Sequence, residues 1–86
     1  MQMSTTMAEA ASLVARNVET NVRLGETDLA ANTAELASLM YAHLSDQDHD
    51  AARLGELADL TENYYERGLV VRSTYEAVSR FLSEAV

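Results

Sequence analysis

The chain contains no proline, and only three glycines interrupt its 86 residues. Gly25 and Gly68 each follow a long run of residues that favour helix. Proline breaks helices because it lacks a backbone N–H, whereas glycine readily adopts the left-handed conformation that follows a last helical turn. The pattern predicts a few long helices joined by short connections, and therefore an all-α fold.

Two predicted helices precede the middle of the chain. The first begins after Ser4, Thr5 or Thr6 and ends at Gly25, and the second begins at Thr27 or Asp28. Apolar residues recur in both at the helical spacing of three and four. The predicted inner stripe of the first helix is Met7, Ala11, Val14, Val18 and Val22, and that of the second is Leu29, Thr33, Leu36, Met40 and then His43 or Leu44. The short connection makes the two helices antiparallel neighbours.

The predicted third helix begins with Ser45 as its N-cap, because Asp48 follows three residues later as in a capping box. It runs to about Arg67, with Leu54, Leu57, Ala58, Thr61, Tyr64 and Tyr65 on its inner side. Gly55 lies inside this helix, where it costs about 1 kcal/mol relative to alanine. We therefore expect a neighbouring backbone to pack closely against Gly55.

Gly68 is predicted to end the third helix. Ser73 with Glu76 resembles a second capping box and predicts a fourth helix after it. The alternative is one long helix that continues through Gly68. The predicted fold is a small antiparallel bundle of four helices, or of three with the last two fused, in a single domain over residues 1–86 with residues 1–5 disordered.

The composition predicts a small core. Alanine supplies 14 of the apolar residues, and the chain has one phenylalanine and no tryptophan. Small domains with a thin core are commonly stabilised by oligomerisation, so we expect a homodimer.

The charge excludes several classes of partner. Fourteen acids stand against six arginines and no lysine, for a net charge of −8, which repels nucleic acids and anionic membranes. A GC-rich genome and a high-salt cytoplasm are both compatible with this composition. Residues 1–7 lack the features of a signal peptide and no apolar run is long enough to cross a membrane, so we expect a cytoplasmic protein.

Catalytic and metal-binding motifs are largely missing from the sequence. There is no cysteine, no phosphate-binding glycine loop and no nucleophile motif, so we expect neither an enzyme nor a cofactor. A cluster of histidines and aspartates surrounds the connection between the second and third helices, but adjacent side chains on a helix point in different directions. We expect no metal site; the candidates for one are His43, Asp46, His49 and Asp50.

By elimination, the sequence predicts a non-enzymatic protein-interaction module, such as a small chaperone, adaptor or assembly factor. Tyrosine is favoured at protein interfaces because its ring is rigid and amphipathic. The candidate partner-binding residues are Tyr41, Tyr64, Tyr65, Tyr75, Phe81 and Gly55. The alternative is an acidic decoy, a DNA mimic that binds a basic nucleic-acid-handling protein through an acidic face that includes Asp59, Glu62 and Glu66.

Overall fold

The computed structural model describes residues 5–85, which form four α-helices: α1 (Thr5–Arg23), α2 (Thr27–Leu44), α3 (Ala51–Glu66) and α4 (Arg72–Ala85). Each helix packs against the next in sequence, and α4 also packs against α1, so the helices form a closed ring. The overall dimensions are 39 × 21 × 20 Å. The predicted four-helix bundle is confirmed, and the alternative with fused third and fourth helices is wrong.

Left-handed residues separate the helices. Gly25 has a φ of 80° and Gly68 a φ of 77°, so both glycines act as the predicted helix stops. Disorder is predicted for residues 1–5, but residues 1–4 lie outside the described part of the chain. The candidate cap Ser4 lies there too. At Thr5 the chain is already helical.

The predicted start of α3 is wrong by about five residues. Ser45 ends α2 instead, and its N–H donates to the carbonyl of Tyr41 at 2.9 Å. Asp46 follows with a φ of 57°, because aspartate is one of the few residues besides glycine that enter the left-handed region. The true N-cap is Asp50, whose carboxylate accepts a 3.0 Å hydrogen bond from the N–H of Arg53.

The predicted second capping box does not form either, because Ser73 lies inside α4. The helix begins at Arg72, and the N–H groups of Thr74 and Tyr75 donate to the carbonyl of Val71, both at 3.2 Å. The carboxylate of Glu76 pairs with Arg72 at 2.6 Å.

The core consists mainly of small and medium side chains. Its largest fully buried residues are Phe81, Leu36, Met40, Leu57 and Val14. From Val14 to Val18 and from Val18 to Val22 the predicted stripe advances by four residues, and each such step turns it by about 40° around the helix axis, away from the core. For this reason the predicted inner stripe of α1 is wrong at its end: Val18 is half-buried and Val22 is 62% exposed.

A layer of polar residues, called here the polar layer, lies between the apolar core and one end of the bundle. Every helix contributes to it, and all its members except the half-buried Asn17 are buried: Asn17, Asn21, Thr33, Thr61 and Thr74. Asn17 donates to the Thr74 hydroxyl at 2.8 Å, and Asn21 to the Thr33 hydroxyl at 3.4 Å. In the described residues every buried side-chain nitrogen and oxygen has a hydrogen-bond partner.

Candidate protein-interaction surfaces

The α1–α2 turn and the α3–α4 connection lie at the same end of the bundle, called here the turn end. This follows from the antiparallel order of the helices and from the Asn17–Thr74 hydrogen bond, which joins the last part of α1 to the first turn of α4. The α2–α3 connection lies at the opposite end, where the rings of His43 and Phe81 meet edge to face at 5.7 Å.

Large apolar side chains are exposed at the turn end. They are 62% exposed at Val22, 71% at Leu24, 37% at Leu69 and 60% at Val71, and together they are called here the turn-end patch. The polar layer lies between these side chains and the main apolar core. Single exposed apolar residues are ordinary on a protein surface, whereas four at one end together offer apolar area that a partner can bury.

The predicted tyrosines occupy different environments. Tyr65 stacks on Tyr75 with ring centroids 4.5 Å apart, and this stack ties α3 to α4 near the turn end. The hydroxyl of Tyr64 accepts a 2.9 Å hydrogen bond from Asn32 of α2. Tyr64, Tyr65 and Tyr75 are half-buried, whereas Tyr41 is 44% exposed near the opposite end.

Two other residues that the sequence predicts to bind a partner, Phe81 and Gly55, do not have the predicted surroundings. Phe81 is only 1% exposed and packs in the core, so it presents no surface to a partner. Gly55 is half-buried, and a Cβ atom placed on it would meet no atom within 4 Å. The predicted close approach of another helix to Gly55 is therefore wrong within the described chain.

The histidine–aspartate candidates do not converge. The rings of His43 and His49 lie 5.3 Å apart, but His49 Nδ1 lies 2.9 Å from the carbonyl oxygen of Gln47, and the Asp50 carboxylate caps α3. In residues 5–85 no group of three or more histidine, aspartate or glutamate side chains is arranged to hold a metal ion.

The charges are divided unevenly between two opposite sides of the bundle. Helices α2 and α3 carry six of the fourteen carboxylates and a single arginine, Arg53, and the residues flanking them, 26 and 45–50, carry four more carboxylates and no arginine. The described remainder, which includes α1 and α4, carries four carboxylates and five arginines. We call α2 and α3 the acidic side and α1 and α4 the balanced side.

The acidic side contains the best-connected ion pair. Arg53 on α3 donates two hydrogen bonds to the carboxylate of Glu35 on α2, at 2.8 and 2.9 Å, and a third to Glu56 at 3.1 Å. The hydrogen bonds from Arg53 hold the pKa of the Glu35 carboxyl below its ordinary value. Both groups are exposed, so solvent weakens the pair, and it fixes the orientation of α2 and α3 more than it stabilises the fold.

On the balanced side a groove of about 380 Å³ runs between α1 and α4. Small and apolar residues line it together with charged ones: Ala10, Ser12, Leu13, Ser73 and Ala77, with Glu9, Arg16, Glu76 and Arg80. Glu76 is paired with Arg72, but Arg16 and Arg80 have no ion-pair partner within the described part of the chain. The groove therefore has two charges of each sign, and both of its arginines are available to a partner.

Neither the turn-end patch nor the groove is predicted by the sequence. One signal for the patch was present, since Leu24 and Leu69 lie directly beside the helix-ending glycines Gly25 and Gly68. The uneven distribution of acids is also visible along the chain. That Arg16 and Arg80 face the same groove, however, depends on the register between α1 and α4, which periodicity alone does not supply.

Comparison with protein-family models, with curated proteins and with solved structures found no match to this chain. None of the described helices combines the length and the apolarity needed to cross a membrane.

Proposed function

We propose that this chain is a cytoplasmic, non-enzymatic protein-interaction module, an adaptor, small chaperone or assembly factor, that acts as a dimer and binds a partner protein through the turn-end patch. The observation that carries the proposal is the exposure of four large apolar side chains at one end of the bundle. Burying such side chains against a partner gains roughly 25 cal/mol for each Å² of apolar surface removed from water.

The surroundings of the patch favour a partner of protein type. The stacked rings of Tyr65 and Tyr75 join α3 to α4 close to the turn-end patch and stabilise the connection that carries Leu69 and Val71. The exposed guanidinium of Arg23 and the carboxylate of Glu26 flank Leu24 along the chain and supply a polar rim. An apolar centre with a polar rim is the usual composition of a protein–protein interface.

Site-specific photo-crosslinking in the native host tests this proposal. A photoreactive phenylalanine analogue is placed at Leu24 or at Val71, with Tyr41 at the opposite end as the matched control, because Tyr41 is also a large exposed residue. We expect a discrete adduct from positions 24 and 71, absent from position 41, and lost when Val22 and Leu69 are changed to serine. Equal adducts from all three positions, or none from the turn end, would contradict the proposal.

A second candidate function is that of an acidic decoy for a basic nucleic-acid-handling protein. The observation that favours it is the segregation of charge, which leaves Arg53 as the single arginine among six carboxylates on the acidic side. A polyanionic surface of this kind attracts basic grooves that otherwise hold nucleic-acid phosphates.

The decoy is distinguished from the adaptor by its salt dependence. A decoy complex is expected to dissociate as salt rises and to be displaced by duplex DNA, and the triple substitution Asp59→Asn, Glu62→Gln and Glu66→Gln is expected to weaken it. A complex that survives high salt and depends on Leu24 instead supports the interaction module.

A further inference from the structure

The groove between α1 and α4 has the charge pattern of a surface that binds its own copy. In a two-fold symmetric contact, residue i of one subunit meets residue j of the other, and residue j meets residue i. A surface of one sign repels itself in such a contact, whereas a surface with both signs can pair with itself. Glu9, Arg16, Glu76 and Arg80 give the groove two charges of each sign.

The other side of the bundle is unsuited to the same role. The acidic side carries six carboxylates against Arg53 alone, so two copies of it would repel each other. When the balanced sides face each other, the acidic sides lie on the outside, as far apart as the assembly allows. The distribution of charge thus favours one orientation of a symmetric pair.

The available area favours a long side of the bundle over its turn end. A long side of the bundle, 39 by 21 Å, offers roughly 800 Å² to a partner, which is the typical contribution of one subunit to a stable interface. The turn end, 21 by 20 Å, offers roughly 400 Å² and falls short of that size. The small residues Ala10, Ser12 and Ala77 along the groove also allow a second helix pair to approach closely.

We propose that a second copy of this chain docks on the α1–α4 groove and forms a two-fold dimer in which Arg16 and Arg80 of each subunit meet carboxylates of the other. This inference rests on the dimeric state included in the proposed function, and it names the face that forms the dimer. None of the four residues of the turn-end patch lines the groove, so docking there leaves the patch of both subunits free for a partner.

A charge-swap experiment on the full chain tests the proposal. One variant carries Arg16→Glu with Arg80→Glu and has an all-acidic groove, and the other carries Glu9→Arg with Glu76→Arg and has an all-basic groove. All four side chains are exposed, so folding is expected to be retained, and circular dichroism checks the helix content. Sedimentation is followed over roughly 1–100 µM, where a micromolar Kd populates both monomer and dimer.

We expect the wild-type chain to dimerise, each variant alone to lose at least about tenfold in dimer affinity, and the equimolar mixture of the two variants to form a heterodimer. A matched control, Arg23→Glu with Arg67→Glu, makes the same change in net charge away from the groove and is expected to remain dimeric.

Sedimentation distinguishes the claim that the chain dimerises from the claim that the groove is the dimer face. If the wild-type chain dimerises and both variants dimerise equally well, the groove is not the dimer face and this inference is overturned while the dimer stands. If the wild-type chain stays monomeric at roughly 100 µM, both the dimeric state in the proposed function and the dimer face inferred here are overturned. Neither result affects the crosslinking test of the turn-end patch.

Discussion

Asn17 on α1 donates a 2.8 Å hydrogen bond to the hydroxyl of Thr74 on α4, and this contact joins the two helices that form the groove. Thr74 is 2% exposed, so its hydroxyl has little access to water if Asn17 is removed. A buried polar atom without a partner costs about 1–3 kcal/mol. This pair of side chains therefore contributes to the relative placement of α1 and α4, beside their packing in the apolar core.

The first prediction concerns that pair. We expect Asn17→Ala to lower the free energy of unfolding by about 1–3 kcal/mol, because the Thr74 hydroxyl loses its partner. The double variant Asn17→Ala with Thr74→Val removes both polar groups and is expected to cost less than the sum of the single changes. Urea denaturation measures all three variants, and strictly additive losses would contradict the prediction.

The second prediction separates the observed cap of α3 from the one that the sequence predicts. Asp50→Ala is expected to cost about 1 kcal/mol, because the N–H of Arg53 loses its acceptor. Ser45→Ala is the matched control and is expected to change stability by less than about 0.5 kcal/mol. Thermal melts followed by circular dichroism measure both, and a larger loss for Ser45→Ala would place the start of α3 earlier.

The third prediction uses two glycines in opposite situations. Gly55→Ala is expected to stabilise the protein by about 0.5–1 kcal/mol, since the added methyl meets no atom within 4 Å and alanine favours helix. Gly68→Ala is expected to destabilise it by about 1–2 kcal/mol, since φ is +77° there. Chemical denaturation checks both signs. A loss of stability or of dimer in Gly55→Ala would instead indicate that another chain packs at this site.

The fourth prediction concerns pH. The lowered pKa of Glu35 means that its pairing with Arg53 stabilises the fold above the ordinary glutamate value of 4.5, and that this contribution is lost as the pH falls through the lowered pKa. We expect Glu35→Gln to melt slightly below the wild type at pH 7 and to converge with it in acid. Glu62→Gln, which changes an exposed acid of α3 without an ion-pair partner in the described structure, is the control. A difference that persists unchanged in acid would contradict the assignment.

The sequence predicts those parts of the fold that depend on local chemistry. Gly25 and Gly68 stop helices because the left-handed conformation at a helix end favours glycine, and that preference is visible without a structure. After α2 the left-handed conformation is adopted by Asp46. The capping-box motif of Ser45 and Asp48 overlaps this helix end and therefore predicts the wrong start for α3. A competing local motif explains this error.

The interaction surfaces depend on register and are harder to predict. Phe81 and Tyr41 are both aromatic residues on helices, yet one is 1% and the other 44% exposed. Helical spacing does not determine which aromatic residue faces the other three helices when the core is made mostly of alanine and leucine. The groove requires two helices to be aligned along their length, and no motif in either helix specifies that alignment.

The division of charge between the two sides of the bundle gives the molecule a large electric dipole across its short axis. The α2–α3 and α1–α4 sides of a body about 20 Å thick differ by about five elementary charges. Near a positively charged surface the molecule is expected to rotate until α2 and α3 face that surface, before any contact forms. The α1–α4 side then points away, so a positively charged support would immobilise the protein in one orientation with that side accessible.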